Sequence, residues 1–254
     1  MLLALDIGNT NITIGVFDGE RLLVESRVAT DTQKTRDQYA VELSDVLTLY
    51  GVDARGFDGA IMSSVVPSID AAISDAVRLV TGIAPMQVGP GIKTGINIRI
   101  DNPAQLGADL LVGAVAAAEQ YGVPCIIWDL GTATTVFALN EKREYLGGAI
   151  MAGVNTALDA LVARASLLPR IRLEAPPHVI GTNTVHSMQS GVLYASAAML
   201  DGMSDRVEEE IGSPCKVVVT GGLGKVIVPY CKREMYCDDR LLLTGLRLIY
   251  ERNK

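Results

Sequence analysis

The stretch DIGNTNITIG, residues 6–15, follows the apolar run LLAL and leads directly into a second apolar segment. A tight hairpin needs only two turn residues and no carboxylate. Here an acid, a glycine and several hydrogen-bonding side chains interrupt two strand-like runs. The pattern returns later, where CIIW at 125–128 is followed by DLGTATT at 129–135. The copies align as Asp6/Asp129, Gly8/Gly131 and Asn9/Thr132. The repeat is degenerate: the Asp-x-Gly-x-Thr spacing holds in the first copy. In the second, Thr132 comes one place earlier and Thr134 one place later. One such turn by itself reads as ordinary turn residues, with the Asp capping local N–H groups. Two turns after matching strands point to an internal duplication.

The rest of the chain fits that plan. Strands are expected over 2–5, 12–17 and 21–28, with Asp18-Gly19 as the second turn. Thr35 and Gln38 form a capping box that opens a helix. Its apolar positions Tyr39, Leu43, Val46, Leu47 and Tyr50 keep helical spacing up to Gly51. A short strand over 59–62, a helix from Pro67, a strand near 86–88 and a long alanine-rich helix from Pro103 to about residue 120 follow. In the second half, strands are expected over 125–128, 136–139, 143–150 and 216–220. Helices are expected over 154–165, 182–211 and 240–250. The spacing predicts an α/β chain of two similar domains, 1–121 and 122–254, each a mixed sheet flanked by helices with a cleft between them. Whether the last helix packs on its own half or crosses to the first is open at this level.

The bulk numbers exclude several classes. The chain has 254 residues, 49% hydrophobic and 20% charged, with net charge −7. An acidic surface is the wrong sign for a phosphate-backbone partner, so nucleic acid is not expected. No apolar run approaches the ~18 residues of a membrane helix. Asp6 stands where a signal peptide would be apolar, and the chain reads as cytoplasmic. Cys125, Cys215, Cys231 and Cys237 form no CxxC pair, and His178 and His186 are the only histidines. The thiols read as free and structural zinc is not expected.

The repeated turn has a definite chemistry. Glycine lets backbone N–H groups approach a ligand, and consecutive exposed N–H groups make a concavity for anions. An aspartate beside phosphates repels them unless a cation lies between. Asp6 and Asp129 therefore imply metal ions, since Mg²⁺ takes one or two carboxylates plus phosphate oxygens. The Walker A loop and GxGxxG are both absent. Gly8 occupies the place where a phospho-aspartate enzyme of the haloacid type carries its second acid, which argues against Asp6 as a nucleophile. VVVTGGLG, residues 217–224, suits either a ring lying against backbone or a plain strand-to-helix connection. In NPAQLGADLL, residues 102–111, Asp109 reads either as a first-turn acid favoured by the helix dipole or as a general base.

DIGNTNITIG, NPAQLGAD, DLGTATT, GGAI (147–150), NTVHSMQSG (183–191) and VVVTGG resemble, in order, the type III pantothenate kinases. That family belongs to the acetate-and-sugar-kinase, heat-shock-chaperone and actin superfamily. The resemblance covers essentially the whole chain. It implies two actin-like (ribonuclease H-like) domains and ATP-dependent phosphorylation of pantothenate, the first step toward coenzyme A. By that resemblance Asp6, Ile7, Gly8, Asn9, Thr10, Asn11, Ile12 and Thr13 form the ATP-phosphate loop, with Asp6 near Mg²⁺. Thr132 reaches ATP phosphate, and Asp129 holds a monovalent cation, K⁺ or NH₄⁺. Gly107, Ala108, Asp109, Leu110 and Thr184 contact pantothenate, and Asp109 accepts the hydroxyl proton. The family is a homodimer with active sites at the subunit interface. Two positions depart from its pattern: Leu110 stands where arginine is usual, and Ala152 where proline is usual. Arginine suits a carboxylate bidentately and leucine does not. Three consequences stay open: compensation by a cation such as Arg99 or Arg164, weaker pantothenate binding, or a divergent relative with another substrate or no catalysis.

Overall fold

The computed structural model describes residues 1–254. Two compact units divide the chain. The first comprises residues 1–95, 102–116 and 241–254; the second comprises 96–101 and 117–240.

In the first unit, β1 (Leu2–Ile7), β2 (Asn11–Asp18) and β3 (Arg21–Ala29) form an antiparallel meander. Helix α1 (Arg36–Leu49) starts at the expected Thr35–Gln38 capping box and leads to β4 (Gly59–Ser64), which pairs parallel to β1. Helix α2 (Asp70–Thr81), preceded by a 3₁₀ turn at Pro67–Ile69, leads to the short edge strand β5 (Met86–Gln87). The sheet order is β3-β2-β1-β4-β5.

Strand alternation sends Leu3, Leu5, Ile7, Ile12, Ile14 and Val16 to one face. There they join Leu43 and Leu47 of α1 and Ile73 and Val77 of α2 in one core. The opposite face carries Leu2, Ala4 and Asp6. It is covered by α7 (Leu241–Asn253), the last helix, which packs on β1, β2 and β4. Leu243 fills the space that a side chain at Gly15 would occupy, and Tyr250 does so at Gly59. The last helix thus belongs to the first unit, which resolves what its sequence left open.

The second unit repeats the plan. β7 (Cys125–Leu130), β8 (Ala133–Leu139) and β9 (Glu144–Ala152) are antiparallel neighbours. Strands β10 (Lys216–Thr220) and β11 (Tyr236–Cys237) add in parallel on the other side of β7. The order β11-β10-β7-β8-β9 mirrors the first sheet, and β6 (Asn97–Ile98) extends the β9 edge. Helices α4 (Val154–Arg164) and α5 (Thr184–Ile211) follow β9, and the short α6 (Gly224–Ile227) follows β10. Trp128, Leu130 and Val136 pack with Leu193, Ala197 and Leu200 of α5. The fully buried Trp128 donates its indole N–H to Ser204 Oγ at 3.0 Å.

One expectation fails. The helix does not run continuously from Pro103. Residues Pro103–Gln105 form a 3₁₀ turn, and α3 (Ala108–Gln120) begins only after Leu106 turns extended. Asn102 accepts the N–H of Ala104 and caps the short turn. The break moves Asp109 into the first turn of α3. No helix is long and apolar enough to cross a membrane.

Candidate functional site

Duplication shows most clearly at the two acids. Asp6 is the next-to-last residue of β1, and Asp129 holds the same place in β7. Each faces a threonine on the antiparallel neighbour, Thr13 or Thr135. Each also faces a hydroxyl residue on the parallel neighbour, Ser63 or Thr220. After each acid the chain turns on a glycine. Gly8 N–H donates to Asn11 O at 3.0 Å, and Gly131 N–H donates to Ala133 O at 3.1 Å.

In the first unit, Ser63 Oγ donates to Asp6 Oδ1 at 2.6 Å. Ser63 is fully buried and Asp6 is 9% exposed. Burial pushes the Asp6 carboxyl up from 3.8 to about 6. The Ser63 bond opposes that shift, the Asp109 charge adds to it, and Arg27 opposes it. The turn beyond Asp6 is pinned from β3's end, where Thr30 Oγ1 donates to Gly8 O at 2.7 Å and Thr30 N–H donates to Thr10 O at 2.9 Å. Asn9, Thr10 and Asn11 are exposed, while Ile7 and Ile12 are core residues. The latter two can offer a ligand only their backbone.

Asp109 is half-buried, and its Oδ1 accepts the N–H of Leu110 at 2.8 Å. Burial raises its pKa, and the hydrogen bonds from Leu110 and from its own N–H oppose that rise. Gly107 makes room for it, since a Cβ at Gly107 would lie 2.5 Å from Asp109 Oδ1. Both acids are desolvated, and the Asp109 charge adds to the rise at Asp6 while Arg27 only partly offsets it. That balance fits a divalent cation carried in with phosphates. No three His, Cys, Asp or Glu residues gather into a self-sufficient metal cage. Mg²⁺ needs only one or two protein carboxylates when a ligand brings oxygens of its own, a demand that Asp6 could meet.

In the second unit, Thr132 O accepts Gly153 N–H at 3.2 Å and Thr156 Oγ1–H at 2.9 Å, which ties the second turn to the start of α4. Gly221 follows β10 with φ +89°. A Cβ there would meet Leu130 N at 2.6 Å and Asp129 Oδ1 at 2.7 Å. Thr135 Oγ1 is buried without a hydrogen-bond partner on Asp129's side of the sheet. An acid with an unused hydroxyl oxygen nearby is an all-oxygen donor set that fits a hard cation. Gly221→Ala is expected to destabilise the protein by about 2 kcal/mol or more, since left-handed backbone and collision with backbone act together. Urea unfolding checks this, and a change within about 0.5 kcal/mol would mean the loop yields freely.

Thr184 starts α5, exposed, after Asn183 caps the helix through His186 N–H at 2.9 Å. It lines a groove of about 840 Å³ whose apolar walls include Leu158, Leu161, Leu168, Met188, Val192 and Met199. Of the two candidate substitutes for a cation at 110, Arg99 is held by Glu144 at 2.6 Å. Arg164 ends α4 in an exposed position. Both lie in the second unit, whereas Leu110 lies in the first. Sequence reading missed Ser63, Thr30 and Arg27. It stopped the β4 strand at residue 62, one short of the serine, placed Arg27 unremarked inside the strand over 21–28, and left Thr30 beyond that strand without a role.

Two copies of one five-strand plan, each closing its middle strand with an acid and a glycine turn, define the actin-like (ribonuclease H-like) class, which includes ATP-dependent kinases. In fold alone, the chain is similar to (R)-2-hydroxyglutaryl-CoA dehydratase component A from Acidaminococcus fermentans, with a TM-score of 0.60, 14% identity and coverage of 100% of this chain and 99% of that chain. The family profile described as type III pantothenate kinase matches residues 2–206. The type III pantothenate kinase of Moorella thermoacetica is 46% identical over 100% of both chains. That of Myxococcus xanthus is 45% identical over 100% of this chain and 99% of its own. The chain belongs to the type III pantothenate kinase family, phosphotransferases of the first step of coenzyme A biosynthesis.

Proposed function

We propose that this chain transfers the terminal phosphoryl group of ATP directly to the primary hydroxyl of pantothenate, with Asp109 as general base. The observation that carries the mechanism is the pair of desolvated acids, Asp6 and Asp109, in one unit. They suit opposite tasks. Asp6, fixed by Ser63, serves the phosphate side, beside the exposed turn at Asn9 and Thr10 that Thr30 pins. Asp109, set free of steric contact by Gly107, serves the acceptor hydroxyl. The hydroxyl oxygen forms the new O–P bond as the bond to the β-phosphate oxygen breaks. The hydroxyl proton passes to Asp109 and ADP leaves, with no phospho-enzyme. Mg²⁺, when bound, neutralises phosphate oxygens. Asp129, with Thr132 close along the same turn, is the reading for the monovalent cation and a further phosphate contact.

The groove along α4 and α5 supports a homodimer. Leu161 on its wall is 45% exposed, and Leu167 and Ile180 nearby in the chain are 91% and 83% exposed. Apolar surface of this extent in a water-soluble chain favours an apolar partner, and a monomer in sedimentation at micromolar concentration would overturn the dimer. The four unpaired cysteines support a reducing compartment, the cytoplasm.

Leu110 favours a second reading of the acceptor. Leucine at this place offers a carboxylate no charged donor, so a small hydroxy compound other than pantothenate, or no acceptor at all, is the competing expectation. ADP release measured with pantothenate, with and without K⁺ or NH₄⁺, decides. Release that depends on pantothenate supports the main reading. Nucleotide binding without release for any small alcohol supports a non-catalytic role.

A further inference from the structure

The first sheet carries a lateral row through Asp6 whose outer members, Arg27 and Ser63, the family resemblance does not use. Arg27 on β3 pairs with Thr13 on β2, which pairs with Asp6 on β1, which pairs with Ser63 on β4. Residues directly opposite one another across paired strands point to the same side of the sheet. Arg27, Thr13, Asp6 and Ser63 therefore share one face, the face that carries Leu2 and Ala4 rather than the α1–α2 core. The bulge in the β2–β3 pairing lies at Val16/Phe17, beyond this row, so the register at Arg27 is regular.

Arg27 is exposed, two residues beyond Glu25 on the same side of β3. The other arginines that approach acids in this unit are committed: Arg36 to Asp37, and Arg247 to Glu251. Two strand spacings, roughly 10 Å, separate the backbones of Arg27 and Asp6. That gap suits a guanidinium reaching back over Thr13 toward an anion held at Asp6. The Arg27 charge is felt at Asp6, in keeping with the strand register that puts both in one row.

We infer that Arg27 contacts the terminal phosphate of the nucleotide, placed by strand register in the same row as Asp6, and stabilises the charge that spreads over the phosphoryl oxygens during transfer. The inference rests on the kinase reading above. A planar guanidinium offers two parallel donors to phosphate oxygens, and its charge stays fixed at any working pH. A cation at this place substitutes for none of the lost recognition at position 110. It belongs to ATP, so the chain keeps strong phosphate chemistry while its acceptor site differs.

The test uses the full-length protein. In Arg27→Ala, ATP affinity is expected to fall roughly tenfold to a hundredfold while ADP affinity holds, because ADP lacks the phosphate in question. The rate at saturating ATP and pantothenate should fall further, by about 10³ or more if the contact strengthens in the transition state. KM for pantothenate should stay constant. Arg27→Lys, which keeps the charge without the fork, should recover part of the rate. An acceptor with pantothenate's carboxylate replaced by an alcohol should show the same Arg27→Ala defect. Equal loss of ATP and ADP affinity, or a raised KM for pantothenate with kcat intact, would overturn the assignment. In the second case the defect would vanish with the alcohol acceptor, marking Arg27 as the carboxylate partner. Wild-type protein that releases no ADP with pantothenate would instead remove the kinase reading itself. An exposed strand residue is not expected to govern folding, and an unchanged urea midpoint for both variants keeps the comparison sound.

Discussion

Asp109→Asn is expected to lower kcat by about 10²–10⁴ while leaving ATP binding in place. The substitution keeps size and keeps an oxygen that can accept the Leu110 N–H, now received at 2.8 Å. It removes only the ability to take a proton. Asp109 is buried enough to have its pKa raised, so its ionised form is already disfavoured in the fold. A neutral amide there adds no desolvation cost, and stability should hold or rise. The wild-type pH profile supplies a second check. A base must be ionised to act, so kcat at saturating substrates should fall as pH drops through a value above the usual aspartate range of about 3.9. That acidic limb should be missing in Asp109→Asn. Gly107→Ala should reproduce part of the defect without touching the carboxylate, because its methyl group would displace Asp109 Oδ1. Near wild-type turnover in Asp109→Asn, measured by ADP release, would remove Asp109 from the mechanism.

The parts of this site that were legible in the sequence share one property: they are written locally. Asp6 and Asp129 stand out because each follows an apolar run and precedes a glycine two residues on. Thr35 and Gln38 announce a helix start because both cap partners lie within one turn. Long-range pairings had no such trace. Ser63 supports Asp6 only through parallel pairing of β4 with β1, across 57 residues. Arg27 joins the row only through two successive strand registers. Strands β6 and β11 are two residues long each, too short for alternation to show. The break before α3 was hidden because Pro103 is as good a start for a 3₁₀ turn as for a helix, and the alanine-rich run that follows reads as uninterrupted. Likewise the last helix shows an apolar stripe in sequence, but which sheet it covers depends on Gly15 and Gly59 leaving room for Leu243 and Tyr250.

Asp6→Asn is expected to abolish most activity and, at the same time, to stabilise the protein at neutral pH in the absence of ligands. The sign follows from the proton balance. The folded state holds the Asp6 proton with a pKa of about 6, against 3.8 for an unburied aspartate. Folded protein therefore binds this proton more tightly than unfolded protein. The contribution of Asp6 to stability is most favourable below pH 3.8 and is lost as pH rises toward 6. Above that it remains a constant penalty. A difference of about two pKa units corresponds to roughly 2–3 kcal/mol. Asparagine cannot ionise, and its carbonyl can still accept the Ser63 hydroxyl now bound at 2.6 Å. The urea midpoint of Asp6→Asn should therefore exceed that of wild type at pH 8. The gap should close as pH falls from 6 toward 4. Mg²⁺ and ATP should reverse the order at pH 8. They stabilise only the protein that binds them, by mass action, and the neutral variant has lost the carboxylate that the metal needs. Loss of activity with an unchanged or lowered midpoint at pH 8 would mean that the Asp6 burial is already compensated in the ligand-free fold. Gain of stability with activity retained would mean that this acid does not serve the phosphate. Only the joint outcome, a more stable protein that no longer turns over, identifies Asp6 as a charge kept at the expense of the apo fold for the sake of a cation and the phosphates it brings.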